Sequence, residues 1–420
     1  MSRVMAASPA AAPAVQIRLP AGWTFAALIA GLALGWALAG SAAGEGAGAI
    51  AGPVGALWLR GLQMTIVPLV AALLVTGIAR MVATASAGPM ARRTLLTFFA
   101  VLAAGTALAA VAMPVLLAAF PIPGQASASL AAQGGSAQPV PGLGAFLESL
   151  VSSNVIAAAA ETAMLPLIVF FAAFAVAITR LEETRRDMLL QLFGALGDAM
   201  LTIIGWVLWL APVGVFALGI GVGLDSGGGA FAALAHYILL VSGMGFAVLV
   251  AAYALGAWQH GPARFARAVL PAQTVAISTQ SSLASLPAML QSCRLLGVRE
   301  TTADFVLPLA VAIFRATSPA MNLGVAIYVA HLAGVELTPA AIAAGAAVAL
   351  VTTIGSVSLP GTISFVASIG PIAIAMGVPI EPLAILVAVE MVPDIMRTLG
   401  NVTMDVAVTA RIDRANRASG

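Results

Sequence analysis

The stretch EPLAILVAVEMVPDIMRTLGNVTMDVAVTARI, residues 381–412, is mostly apolar, yet Glu390, Asp394, Arg397, Asn401 and Asp405 interrupt it at intervals of 4, 3, 4 and 4. On an α-helix that spacing gathers all five on one face. A charge at the bilayer centre costs at least about 2.5–3.5 kcal/mol, so four charges on one stripe must face a polar cavity or one another. The segment therefore predicts a membrane-embedded bundle with a polar interior.

The rest of the chain agrees with that solvent. Of 420 residues, 61% are apolar and 8% charged, against roughly one quarter charged in a soluble domain. About 20 mostly apolar residues span a bilayer. The pattern predicts eight such spans near 21–43, 49–79, 94–120, 151–180, 188–223, 229–257, 302–332 and 382–410. All 18 basic residues are arginine. Without lysine there is no P-loop, no Ser-Lys dyad and no Schiff-base amine, which favours an ion gradient over ATP as the energy source. A single cysteine, Cys293, and three scattered histidines, His236, His260 and His331, offer neither an intrachain disulfide nor a His-rich metal site. Neither an enzyme nor a resident cofactor is expected.

Fifteen of the 18 arginines fall in alternate connections, while the intervening ones carry Glu45, Glu148, Asp225, Glu336 and Glu381. The positive-inside rule then places both termini in the cytoplasm. Helical spans point to the inner, cytoplasmic membrane of a prokaryote, since outer-membrane proteins use barrels. Residues 1–20 lack the apolar core of a signal peptide and read as a cytoplasmic tail, as do 413–420. The Pro/Gly/Ser/Ala-rich stretch 121–143 reads as an external loop.

Two apolar runs depart from simple crossing. One, about 263–295, starts and ends beside arginines, and its middle, 278–287, is crowded with Ser, Thr and Pro, which compete with or break helical hydrogen bonding. The other, about 338–378, lies between Glu336 and Glu381 and is interrupted by GSVSLPGT, residues 355–362. Two helical hairpins entering from opposite sides are expected. Non-helical backbone at that depth must be buried or line a cavity, and paired interruptions in an inverted repeat mark a secondary transporter's binding site.

The stripe itself suits a zwitterion. Arg397 offers a planar fork to a carboxylate, Asp394 accepts an ammonium, and Asn401 both donates and accepts. Asp405, one turn beyond Asn401, supplies hard oxygens for an alkali cation. The alternative is an internal salt-bridge ladder that only joins helices.

With these residues in place, the chain resembles the dicarboxylate/amino acid:cation symporters, the glutamate transporter family. The ordered set LQMTIVPLV (62–70), LPLIVFFAAFAVAIT (165–179), APVGVFAL (211–218), SSLASLP (281–287), FVLPL (305–309), LPGT (359–362) and DIMRTLGNVTMD (394–405) carries the likeness over most of the chain. The resemblance implies an all-α polytopic membrane protein: eight transmembrane helices and two re-entrant hairpins, working as an elevator-type transporter in a homotrimer. Scaffold helices 1 and 2 would occupy 21–93 and helices 4 and 5 would occupy 144–223. The moving transport domain would comprise helix 3 at 94–120 and residues 224–412. The expected partners are a small anionic or zwitterionic solute and membrane lipid, with no nucleic acid.

The resemblance also implies roles. Arg397 pairs with a side-chain carboxylate, Asp394 holds the amino group and Asn401 the α-carboxylate. Ser281, Ser282, Ser318 and Thr398 complete the solute site, and Asn401 and Asp405 bind a coupling cation, sodium and/or a proton being the coupling ion. Backbone carbonyls near 356–360 would serve another cation. An acidic amino acid is the expected solute; a C4-dicarboxylate, a cystine-like amino acid, an anion channel of the same fold and a non-transporting sensor are the alternatives. The chain departs from the family at the seventh span, where Asn-Met-Asp-Gly-Thr is replaced by Phe314, Arg315, Ala316, Thr317 and Ser318. A cation-site carboxylate has become Ala316. Gln280 and Glu390 also stand where other residues are usual. Two readings of Arg315 follow: it stands in for one coupling cation, with Glu390 as the proton carrier, or it snorkels or binds a second substrate carboxylate.

Overall fold

The computed structural model describes residues 21–86, 88–123, 148, 151–226, 229–355 and 361–417. Among them there is no β-strand, and most of these residues are helical. In order they are α1 (Ala21–Leu38), α2 (Ala42–Gln63), α3 (Ile66–Ala85), α4 (Pro89–Ala119), α5 (Val155–Ala160), α6 (Met164–Ile178), α7 (Glu183–Trp209), α8 (Ala211–Ser226) and α9 (Gly229–His260). Then follow α10 (Pro262–Thr279), α11 (Leu286–Leu296), α12 (Glu300–Ile313), α13 (Ser318–Leu332), α14 (Pro339–Gly355), α15 (Gly361–Ala375), α16 (Leu383–Leu386) and α17 (Met391–Arg417). Five segments are long and apolar enough to cross a membrane: Ala42–Ala85, Pro89–Ala119, Glu183–Trp209, Gly229–His260 and Glu300–Leu332.

Several of the expected spans are broken rods, and the breaks have local causes. Between α2 and α3 the Thr65 hydroxyl donates to the Leu62 carbonyl at 2.8 Å, and Pro68 lacks the N–H that a continuous helix would use. Between α5 and α6, Thr162 adopts the left-handed conformation at φ 57°. The last expected span begins with the short α16, passes through turns at 387–390 and becomes regular only at Met391. Pro393 cannot donate to the Val389 carbonyl, so the helix cannot run unbroken through this point.

In the two stretches where hairpins are expected, α10 packs on α11, and α14 on α15. In the first, the chain reverses at Gln280, which is left-handed at φ 49°. The Thr279 hydroxyl donates to the Val275 carbonyl at 2.7 Å and the Ser285 hydroxyl to the Ser281 carbonyl at 2.9 Å. Hydroxyls thus compete for carbonyls that a longer helix would use.

Packing is closest in two places. α1 lies against α8, where Gly31 and Gly35 face Gly223 and the carbonyls of Phe216 and Ile220; a methyl at Gly35 would overlap the Ile220 carbonyl oxygen. Small residues four apart let helix backbones meet in lipid. The other is the centre of the molecule, where every residue of α13 except His331 is buried, as is the whole run 401–410 of α17. α4 packs on α13 and α9 on α17. A helix buried all round sits in a core, so α13 and α17 hold the interior positions that the polar stripe requires.

Candidate functional site

The stripe on the last helix is buried along its whole length: Glu390 is 0% exposed, Asp394 and Arg397 4%, Asn401 2% and Asp405 1%. Glu390 lies in the turn before α17 and not within it. It keeps its register because the Asp394 N–H donates to the Glu390 carbonyl at 2.9 Å.

Arg397 is the hub. Its Nη2 donates to Glu390 Oε1 at 2.7 Å and its Nη1 to Asn322 Oδ1 of α13 at 2.7 Å, while Nε stands 3.4 Å from Asp394 Oδ1. Tyr237 of α9 closes the group, donating its hydroxyl to Glu390 Oε2 at 3.1 Å. A guanidinium has five N–H donors, so among the described residues these contacts leave two for another partner. Glu390, Asp394 and Arg397 thus form a salt-bridged group of the kind foreseen as the alternative.

Below it the arrangement changes. Asn401 Oδ1 accepts from the Thr317 backbone N–H and lies within reach of the Thr317 hydroxyl, both at 2.9 Å, and that hydroxyl is 3.1 Å from the Arg397 carbonyl. These bonds tie the break between α12 and α13 to α17. Phe314 fixes the same break from the other side by stacking on Phe98 of α4, with ring centroids 4.2 Å apart. Gly400 makes the approach possible, because a β-carbon there would overlap Thr317 Cγ2. Ser318 opens α13 and is buried, as is Thr398.

Both carboxylate oxygens of Asp405 are buried without a hydrogen-bond partner among the described residues. An unsatisfied carboxylate in such a place is costly, and it suits a cation that brings its own charge. No group of three or more His, Cys, Asp or Glu gathers there or elsewhere among the described residues, so oxygens of Asp405, Asn401 and the backbone would have to share that task. Arg315 is 9% exposed and interacts electrostatically with Asp394, Asp405 and Arg397. The three acids and two arginines leave a formal charge of one negative in this buried set.

Ser281 and Ser282 lie at the turn between α10 and α11, half-buried. The Ser281 hydroxyl accepts from the Ala284 N–H at 3.2 Å, and no hydrogen bond joins either serine to the stripe among the described residues. Residues 356–360, expected to offer carbonyls to a cation, lie outside the described residues.

Three contributors went unremarked in the sequence: Tyr237, Asn322 and the side chain of Thr317. Asn322 carried a signal, being a lone amide in an otherwise apolar run four residues after Ser318. Tyr237 had none beyond being one of three tyrosines.

A many-helix apolar chain that buries opposite charges on interrupted helices has the build of a membrane transporter. The pattern of the sodium:dicarboxylate symporter family matches residues 21–415, and the chain belongs to that family. It is 28% identical over 370 residues to the proton/glutamate-aspartate symporter of Escherichia coli, covering 83% of this chain and 82% of that one. It is 27% identical over 367 residues to the proton/sodium-glutamate symport protein of Bacillus subtilis, covering 84% and 82%. The human neutral amino acid transporter B(0) is 28% identical over 395 residues, covering 84% and 71%.

Proposed function

We propose that this protein is a secondary active symporter of the cell inner membrane that takes up an acidic amino acid, coupled to sodium and/or protons. The carrying observation is the buried juxtaposition of Arg397 and Asp394, 3.4 Å apart, beside Asn401. The two open donors of Arg397 take the solute's side-chain carboxylate, Asp394 its ammonium and Asn401 its α-carboxylate. Ser281, Ser282, Ser318 and Thr398 complete the cradle once the hairpins close. Asp405, with Asn401, takes the coupling cation. Glu390, which shares Arg397 with the solute, carries the proton. Arg315 acts as a fixed charge in place of one cation, which lowers the number of sodium ions moved per solute.

In this reading α4 and α9–α17 form a transport domain that slides as an elevator against α1–α3 and α5–α8 within a homotrimer, both termini being cytoplasmic. The printed names of the bacterial relatives support glutamate or aspartate; the human relative is named for neutral amino acids, and Arg397 is the reason to prefer an acidic solute here. Arg315 supplies the specific reason for a second reading, a solute with an additional carboxylate.

The test is uptake into proteoliposomes with sodium and proton gradients imposed separately. Accumulation of aspartate or glutamate against its gradient is expected. Flux that only follows voltage indicates a channel, binding without flux a sensor, and uptake of succinate with none of either amino acid removes the ammonium role of Asp394.

A further inference from the structure

A cavity of about 910 Å³ between α4, α9 and α17 has no part in the transport chemistry above. One end is ringed by Arg92, Arg93 and Arg411, and the other reaches Gly105, Leu108 and Ala316. No acidic residue lines it. From Arg92 to Leu108 is 16 residues of continuous helix, roughly 24 Å at 1.5 Å per residue. That exceeds one leaflet of a hydrocarbon core about 30 Å thick. The walls between are aliphatic apart from Thr97, whose hydroxyl donates to the Arg93 carbonyl at 2.8 Å, and Leu96, 71% exposed, leaves the groove open sideways.

The arginine end has the marks of a membrane interface. The Arg411 guanidinium lies 5.8 Å from the ring centroid of Trp258, itself 75% exposed, and exposed tryptophans gather at headgroup level. Arg93 is steered by its Nη1 bond to Asn416 Oδ1 at 2.7 Å. Basic clusters between membrane helices recognise anionic lipid headgroups.

We propose that this groove binds one anionic glycerophospholipid, its phosphate held by Arg92, Arg93 and Arg411 and an acyl chain running along α4 to Ala316. The two halves of the groove select together. A soluble anion has no use for the aliphatic length, and a neutral lipid has none for three guanidiniums. The seventh-span substitution contributes directly: where the family resemblance puts a carboxylate, Ala316 leaves the groove floor apolar. The lipid tail then ends one residue from Arg315 and from Thr317, whose bonds to Asn401 fix the solute site. The site is independent of which solute or ion is moved, so its test stands apart from that of transport.

The experiment is native mass spectrometry of the purified, delipidated full-length protein, titrated with phosphatidylglycerol and with phosphatidylcholine of identical chains. One phosphatidylglycerol per chain is expected to bind well before phosphatidylcholine. Arg92→Gln with Arg411→Gln, both on exposed side chains, should weaken it about 30-fold, from two charges at the attraction typical of an anionic surface. Ala104→Trp, which fills the middle of the groove, should abolish the preference with the arginines intact. Equal affinity for the two lipids overturns the proposal, as does an unchanged affinity in the double arginine variant. Full competition by glycerophosphate alone would overturn the acyl-chain half by showing a free phosphate site. Should Ala104→Trp fail to fold, the arginine variant and the glycerophosphate competition still decide.

Discussion

Gly400→Ala isolates the packing on which the candidate site depends. At an open helical position alanine is favoured over glycine by about 0.5–1 kcal/mol. At Gly400 the new methyl would overlap Thr317 Cγ2. Thr317 has little room to yield, since it is 0% exposed and its hydroxyl lies 2.9 Å from Asn401 Oδ1 and 3.1 Å from the Arg397 carbonyl. Overpacking a tight interior costs about 1–3 kcal/mol, so Gly400→Ala should be net destabilising by about 1–2 kcal/mol. Thr317→Ser removes the clashing methyl and keeps the hydroxyl. In that background Gly400→Ala should be neutral, or stabilising by up to about 1 kcal/mol from helix propensity. The double-mutant cycle should thus show a coupling of about 1–3 kcal/mol, in the range found for contacting residues. Unfolding of the four purified proteins in detergent measures it, and glutamate binding should follow the same rescue because Asn401 moves with Thr317. A coupling below about 0.5 kcal/mol, or glutamate binding that ignores the rescue, would refute the claim that this contact positions the site.

Arg397→Gln, made with Glu390→Gln so that Glu390 is not left charged without its 2.7 Å partner, should weaken glutamate binding roughly 10- to 150-fold, the loss of a charge-assisted hydrogen bond of about 1.5–3 kcal/mol, and spare glutamine; isothermal titration with both ligands tests it, equal losses counting against the assignment. For Asp405, sodium at 100 times its dissociation constant should stabilise the wild type by about 2.7 kcal/mol over choline, and Asp405→Asn should abolish that response in thermal unfolding; a retained response places the cation elsewhere. Gly35→Ala should destabilise by about 1–3 kcal/mol, because its methyl meets the Ile220 carbonyl, whereas Gly46→Ala, with open space around it, should not; similar thermal midpoints would contradict the close α1–α8 crossing. Asp413, in the charged last turns of α17 beyond the apolar stretch, is pushed up by burial, but hydrogen bonds from Arg299 and Thr302 and the charge of Arg417 outweigh this and hold its carboxyl below the ordinary range. A depressed carboxylate stabilises fully above its unfolded pKa of about 3.9 and loses that contribution as pH falls through its folded value, so Asp413→Asn should cost stability at neutral pH and progressively less in acid; a cost independent of pH removes the charge from the explanation.

The sequence revealed most where polarity is expensive. A charge in lipid cannot be accidental, so the Glu390–Asp405 stripe was legible from spacing alone, and the structure buries all five of its members. The break at Gln280 was legible for the same reason, since hydroxyl- and proline-rich breaks need either a cavity or a partner; the one expected at 356–360 lies outside the described residues. A helix interruption made by ordinary residues was not legible: nothing in the apolar periodicity around Thr162 announces a turn. The partners of Arg397 were half legible. Asp394 follows from helix geometry and Glu390 from the spacing, although it lies in the turn before α17, whereas Asn322 and Tyr237 come from α13 and α9, helices distant in sequence, and only the folded arrangement brings them to Arg397 and Glu390.

The way charge is divided along the stripe constrains how a solute can enter. The upper group is already matched: Arg397 holds Glu390 at 2.7 Å and faces Asp394 at 3.4 Å. A dicarboxylic amino acid arriving there adds a carboxylate to an arginine that is already shared, so the proposed binding gains most when Glu390 gives up its claim by taking a proton. The lower group is different, because among the described residues the Asp405 carboxylate has no hydrogen bond to lose, and the guanidinium of Arg315 cannot leave with the solute. Arg315 stays charged at any physiological pH and therefore cannot be the group that cycles. In the proposed reading the ion that moves with the solute must come from the remaining imbalance: a proton at Glu390, a cation at Asp405, or both. A chain that kept a carboxylate at position 316 would carry one more negative charge in the same space and call for one more mobile cation. Alanine there, with an arginine alongside, changes the formal balance of the buried set by two charges, which in the proposed reading would lower the number of ions the cycle needs.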